Sequence, residues 1–238
     1  MKSTLLDKSF RILDCIAAAG RPVTLKELAA DLELNTSTVS RIASDLAERN
    51  LICKEGYHSF VPAVGLIRLG QAAIAGSPLV RKAGEIILKD CSKLNVSGVF
   101  AGIDNDNLVY LFRHDAVREG ETPLRFPLWK SHLAAVILGR GGNWQAAERF
   151  FYSSIRHEAE NLDVSRELQL FNRRCRQAEK DGFVIFRDPR WGWSINFPVP
   201  VDEKIYGVAL FGGNTSECNE KMHFSCQRLA SRLRSQLA

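Results

Sequence analysis

The stretch Asn35–Arg49, NTSTVSRIASDLAER, decides how the N-terminal part of this chain is read. At helical spacing Val39, Ile42, Ala43 and Leu46 fall at i, i+3, i+4 and i+7 and make one apolar stripe. The opposite face carries Ser37, Ser40, Arg41 and Ser44. A solvated helix face is usually built from Glu and Lys, which favour helix more than Ser and Thr do. Short hydroxyls around one guanidinium at a helix start suit close approach to phosphates and base edges in a major groove. A plain surface helix remains the alternative on this stretch alone.

Its neighbours favour the first reading. Ser3–Ala19 places Leu6, Phe10, Leu13 and Ala17 on one helical face, and Gly20 with Arg21-Pro22 stops that helix. Thr24-Leu-Lys-Glu27 is a capping box that opens a short helix through Leu25, Leu28, Ala29 and Leu32. The next helix begins with Asn35 or Thr36 as its cap. Two short helices across a tight turn are a helix-turn-helix. After Asn50, residues 51–55 and 57–61 read as two β-segments about Gly56, which makes a wing. A winged helix-turn-helix is therefore expected over residues 1–62. Its candidate DNA contacts are Asn35, Thr36, Ser37, Thr38, Ser40, Arg41 and Ser44, with Lys54, Tyr57 and His58 at the wing tip. Lys2, Lys8 and Arg11 lie on the first helix. For Tyr57 and His58 an ordinary solvated turn is an equally open reading.

Charge does not make the case by itself. The chain of 238 residues carries a net +5, but residues 1–62 hold eight Lys/Arg and eight Asp/Glu. Any DNA contact there rests on local placement. No apolar run reaches the roughly 20 residues of a membrane span, and charges break the N-terminal stretch, so no secretory leader and a cytoplasmic location are expected. The six cysteines are scattered without a C-x-x-C pair, as in a reduced chain.

Residues 63–77 read as a connecting helix, with Ser77-Pro78 capping a further helix to Leu94. From Val96 the period changes. Strands are expected at 96–103 and 108–114, around Asp104-Asn-Asp-Asn107, and again at 183–186, 193–199 and 206–211. Helices are expected at 131–138, 144–152, 165–180 and 217–237, and Gly139-Arg-Gly-Gly142 reads as a loop. The fold class that follows is α+β, with residues 78–238 forming a mostly antiparallel sheet flanked by helices.

This order resembles the IclR family of bacterial transcriptional regulators. Ser37-Thr-Val-Ser-Arg41 is similar to the family's S-T-V-x-R, and Leu69-Gly70, after Phe60, sits where the family has Y-x-L-G…L-G. Gly182-Phe183 and Ser194-Ile-Asn-Phe-Pro-Val199 resemble its Gly-Tyr/Phe and [C/S]-I-A-A-P-V segments. The resemblance implies a homodimer or homotetramer on double-stranded DNA, at a pseudo-palindromic operator. It also implies a GAF-like domain that binds a small effector, and a role in regulating carbon catabolism.

The chain departs from the family at the effector site. Trp129-Lys-Ser-His-Leu-Ala-Ala135 replaces H-A-T-A-x-G-K, and Leu210-Phe-Gly-Gly213 replaces S-x-S-G. The candidate effector residues are Trp129, His132, Leu133, Asp188, Trp191, Ser194, Leu210 and Gly212. A pocket with Trp and Leu walls and few polar hooks favours a sugar derivative or an aromatic acid over a bare dicarboxylate. Tryptophans that merely fill a core or an oligomer interface, and a pocket that no longer binds anything, are the competing readings.

Other classes carry less. No G-x-S-x-G, H-E-x-x-H, G-x-G-x-x-G or phosphate loop is present, and the five histidines lack metal spacing. No enzyme activity, cofactor, catalytic residue, metal site or membrane partner is expected. Redox control through Cys53 or Cys91 is the other alternative for a regulator.

Overall fold

The computed structural model describes residues 4–104, 106–115, 128–155, 162–188, 192–212 and 220–237. The chain divides into two compact units, Met1–Gly76 and Ser77–Ala238.

In the first unit α1 (Leu5–Ala19) is capped by Thr4, whose side chain accepts from the Asp7 amide, and ends at Gly20 in the left-handed region. The strand β1 (Val23–Thr24) runs into α2 (Leu25–Asp31), followed by α3 (Thr36–Glu48). The capping box is formed in full: the Glu27 amide donates to Thr24 Oγ1 at 3.2 Å and the Thr24 amide to Glu27 Oε2 at 2.7 Å. Asn35 precedes α3 without a side-chain capping bond. The hairpin β2 (Ile52–Lys54) and β3 (Ser59–Pro62) joins β1 in a three-stranded antiparallel sheet, ordered β1-β3-β2. The strand β1 adds to the hairpin expected from sequence, with Val23 opposite Phe60.

The core of this unit gathers Ile12, Ile16, Val23, Leu28, Val39, Ile42, Ala43, Leu46, Ile52 and Phe60. All four residues of the expected α3 stripe are in it, each large one contributing roughly 1.5–3 kcal/mol by leaving water. The face of α1 is corrected. Ile12 and Ile16 are buried, whereas Leu6 and Phe10 are 67% and 58% exposed. Two apolar rows run along α1, and only one meets α3 and the sheet. Arg11 donates from Nη2 to the Leu32 carbonyl, so it ties α1 to the end of α2.

Helix α4 (Val64–Gly76) completes the unit. The Gly65 amide donates to the Asn50 carbonyl at 2.9 Å, and a Cβ at position 65 would collide with that carbonyl.

The second unit is built on a five-stranded antiparallel sheet. Its strands are β4 (Ser97–Asp104), β5 (Asn107–His114), β6 (Val184–Asp188), β7 (Gly192–Val201) and β8 (Lys204–Gly212), in the order β5-β4-β8-β7-β6. Helices α5 (Pro78–Leu94) and α9 (Glu220–Leu237) cover one face, burying Ile87, Phe100, Ile195, Phe197, Leu210 and Leu229 together. Helices α6 (His132–Gly141), α7 (Trp144–Ile155) and α8 (Val164–Asp181) cover the other, over Val99, Ala101 and Ala209. A 3₁₀ turn, Leu128–Lys130, precedes α6.

Gly139 and Gly141 belong to α6 and not to a loop, with Gly142 as its left-handed cap. Gly139 faces the backbone of Cys175, which a Cβ would strike, so the glycine permits the close crossing of α6 and α8.

Candidate DNA-contacting surface and effector cavity

In the first unit the buried stripe of α3 turns its other side outward. Ser37, Arg41 and Ser44 lie at i, i+4 and i+7, all exposed, with Thr38 and Ser40 half-buried beside them. Asn35 and Thr36 are exposed at its start. Among the described residues Arg41 makes no hydrogen bond or ion pair, so its five donors face solvent. At the wing tip Lys54, Tyr57 and His58 are exposed, Tyr57 to 88%. The two rings meet edge-on with centroids 4.0 Å apart. Positive φ at Gly56 and His58 makes the tight reversal, and the His58 carbonyl accepts from the Leu25 amide at 3.3 Å. The wing is thereby fastened to the start of α2.

In the second unit, the register of the sheet assembles a cavity of about 160 Å³ beneath the first turn of α6. One rung across the sheet is Arg113, Val99, Ala209 and Asn196; the next holds Phe211, Ser194 and Phe186. All seven line the cavity, with Tyr110, Trp193, Ser131, His132 and Leu133 around them. A bulge between Phe100 and Ala101 puts Tyr110 opposite Ala101 and Arg113 opposite Val99, so both reach the α6 face.

The polar groups of this cavity are few and mostly engaged. Ser131 caps α6, its Oγ accepting from the Ala134 amide at 3.1 Å. Asn196 Nδ2 donates to the Val184 carbonyl at 3.1 Å and to Ser194 Oγ at 3.0 Å. Each of these serines accepts one bond, which leaves its own hydroxyl hydrogen for an acceptor in the cavity. His132 packs on Phe186 with ring centroids 4.5 Å apart. Burial, with the Arg174 guanidinium in support, pushes its imidazole down to about 3, so the ring is neutral at ordinary pH. Arg113 is the one charged side chain among the described lining residues. Its Nε donates to both Asp115 carboxylate oxygens at 2.9 Å, and its guanidinium stands 5.8 Å from the Phe211 ring centroid.

Of the candidate effector residues, the structure brings together His132, Leu133 and Ser194. Trp129 is buried in the core under α6 and α7, 3% exposed, and does not line the cavity. Its carbonyl accepts from Arg174 Nη1 at 3.2 Å. Leu210 points to the opposite face, among the residues under α5 and α9. Gly212 pairs with Trp193 outside the lining. Asp188 is the last residue of β6. Trp191 lies outside the described residues. The sequence reading missed the other nine described lining residues, among them Arg113, Phe186 and Phe211.

Cys91 is fully buried, and desolvation with the Asp90 charge pushes its thiol up to about 12, which leaves no thiolate to oxidise. Cys53 is exposed on β2. No group of His, Cys, Asp and Glu among the described residues is placed to hold a metal ion, and no described helix is long and apolar enough to cross a membrane.

Residues 5–56 match the model of the IclR helix-turn-helix domain. No curated protein sequence matches the chain significantly. Solved structures match over nearly its whole length. An IclR-family transcriptional regulator from Brucella abortus superimposes with a TM-score of 0.77 at 18% identity, covering 98% of this chain and 92% of that one. For a putative IclR transcriptional regulator from Silicibacter sp. TM1040 the TM-score is 0.74 at 13% identity, with 98% and 96% covered. An IclR homolog from Microbacterium hydrocarbonoxydans, complexed with 4-hydroxybenzoate, gives 0.65 at 14% identity, with 98% and 99% covered. At such identities the likeness establishes the fold.

Proposed function

From a chain whose residues 5–56 are an IclR helix-turn-helix domain and whose fold is that of IclR-family regulators, we propose a sequence-specific DNA-binding transcriptional regulator controlled by a small-molecule effector. The observation that carries this reading is α3. Its Val39, Ile42, Ala43 and Leu46 side is locked into the core, which holds Ser37, Arg41 and Ser44 outward as a rigid row. That row is sized for a major groove, with phosphates met by hydroxyls and the helix start and a guanine edge or phosphate met by Arg41. Lys54, Tyr57 and His58 reach the flanking backbone from the wing.

The chain acts as a homodimer, and pairs of dimers can form a tetramer. The Leu6 and Phe10 row on α1 supports this, because a second apolar face left exposed among the described residues suits a partner from another chain. Two α3 helices then read half-sites about 10 base pairs apart, or a multiple of that, on a pseudo-palindrome.

The cavity under α6 takes the effector. Its aromatic walls and few polar groups favour a ring-bearing ligand, and a structural neighbour holds 4-hydroxybenzoate. The effector shifts DNA occupancy by no more than its differential affinity for the bound and free states. The chain works in the cytoplasm on its operator and not as an enzyme. The test is a gel shift of purified protein with the DNA upstream of its own gene, with and without ring acids. Retardation that competitor DNA of unrelated sequence fails to abolish supports the reading. Equal binding to all DNA, or none, contradicts it.

A further inference from the structure

We infer that Arg113 is the anion anchor of the α6 cavity, and that the cavity takes a monocyclic aromatic carboxylate. This inference rests on reading the cavity as the effector site. Three observations carry it.

The first is size. A cavity of about 160 Å³ is close to the about 150 Å³ that accommodates one benzene ring in an apolar protein core.

The second is the character of the walls. Val99, Ala209, Phe186 and Phe211 present carbon, and the His132 ring beside Phe186 is uncharged. A sugar acid would strip several hydroxyls of water and find donors or acceptors for few of them. A ring loses little.

The third is Arg113. Only its Nε is engaged among the described residues, by Asp115, so both Nη groups remain open for a second carboxylate. The guanidinium already lies over Phe211, which floors the cavity, so its charge stands at the end of the slot. Its exposed pairing with Asp115, at 40% and 45% side-chain exposure, is a weak tie. A ligand carboxylate therefore meets a planar fork suited to two parallel hydrogen bonds. Ser131 and Ser194 line the same cavity, and each keeps a hydroxyl hydrogen to offer a polar substituent on the ring.

Calorimetry on the full-length protein with benzoate and benzyl alcohol separates the contributions. The two ligands share a ring and differ in charge. The unmodified chain binds benzoate at least tenfold more tightly, and the two compete for one site. Arg113→Met brings the ratio near one, and benzyl alcohol titrated into the same variant shows whether the ring-binding cavity survives the change. Arg113→Lys keeps part of the preference, since charge survives without the fork. A benzoate preference undiminished in Arg113→Met overturns the anchor and leaves the ring-binding cavity standing. Binding of neither ligand overturns the inference and the effector reading of the cavity together.

Discussion

His132, the first residue of α6, lies against Phe186 of β6 with ring centroids 4.5 Å apart, and the contact holds a neutral imidazole at the edge of the cavity. Burial first, and the Arg174 guanidinium second, lower its pKa from 6.5 to about 3. The neutral form is the one the fold accepts, so the unfolded chain takes up a proton near pH 6.5 that the native chain refuses. Stability contributed by this group is therefore complete above pH 6.5 and falls as pH drops toward 3. His132→Gln should flatten that part of the curve. Denaturant titrations at pH 7.5, 6 and 5 check it: a stability difference between the two proteins that stays constant over this range contradicts the assignment.

Glu27 acts through a different window. Its carboxylate accepts from the Thr24 backbone amide, and also meets the Arg21 guanidinium and the Thr24 hydroxyl; these hold it down to about 2. Here the charged form is favoured, so its contribution is present above pH 4.5 and is lost as pH falls through the folded value. Thr24→Ala removes one half of the capping box and should cost about 1 kcal/mol at pH 7. Thermal melts give the number. No change in Tm would show that α2 does not depend on its cap.

Two glycines mark close backbone approaches and one marks none. Gly139→Ala forces the α6–α8 crossing apart at Cys175 and should cost about 1–3 kcal/mol. Gly65→Ala should do the same against Asn50, where α4 leaves the wing. At Gly70 an added Cβ meets nothing within 4 Å, so Gly70→Ala should stabilise α4 by roughly 0.5–1 kcal/mol. Equal effects at positions 65 and 70, measured by chemical denaturation, would show the Asn50 contact to be unimportant.

What sequence alone revealed depended on how many turns of period each element displayed. In α3 the apolar and polar rows alternate over three turns, so both the burial of Val39, Ile42, Ala43 and Leu46 and the outward placement of Arg41 were legible. In α1 two apolar rows compete, and nothing local says that Ile12 and Ile16 face the core while Leu6 and Phe10 do not. Gly139 read as a helix breaker because the backbone of α8, which demands it, is remote in sequence. Arg113 was hidden by the bulge, since Tyr110 and Arg113 are three residues apart and strict alternation assigns them to opposite faces. Trp129 drew attention by its size, but it fills the core beside the cavity rather than lining it.

On this reading the outward row of α3 binds DNA. Arg41→Ala, titrated against operator DNA over a series of salt concentrations, tests it most directly. If Arg41 reads a base, the variant loses about 1–3 kcal/mol at one position of the site; if it holds a phosphate, affinity falls for every sequence and the salt slope drops by about one. Either result supports the claim. An operator affinity and salt slope unchanged from those of the parent chain would contradict it.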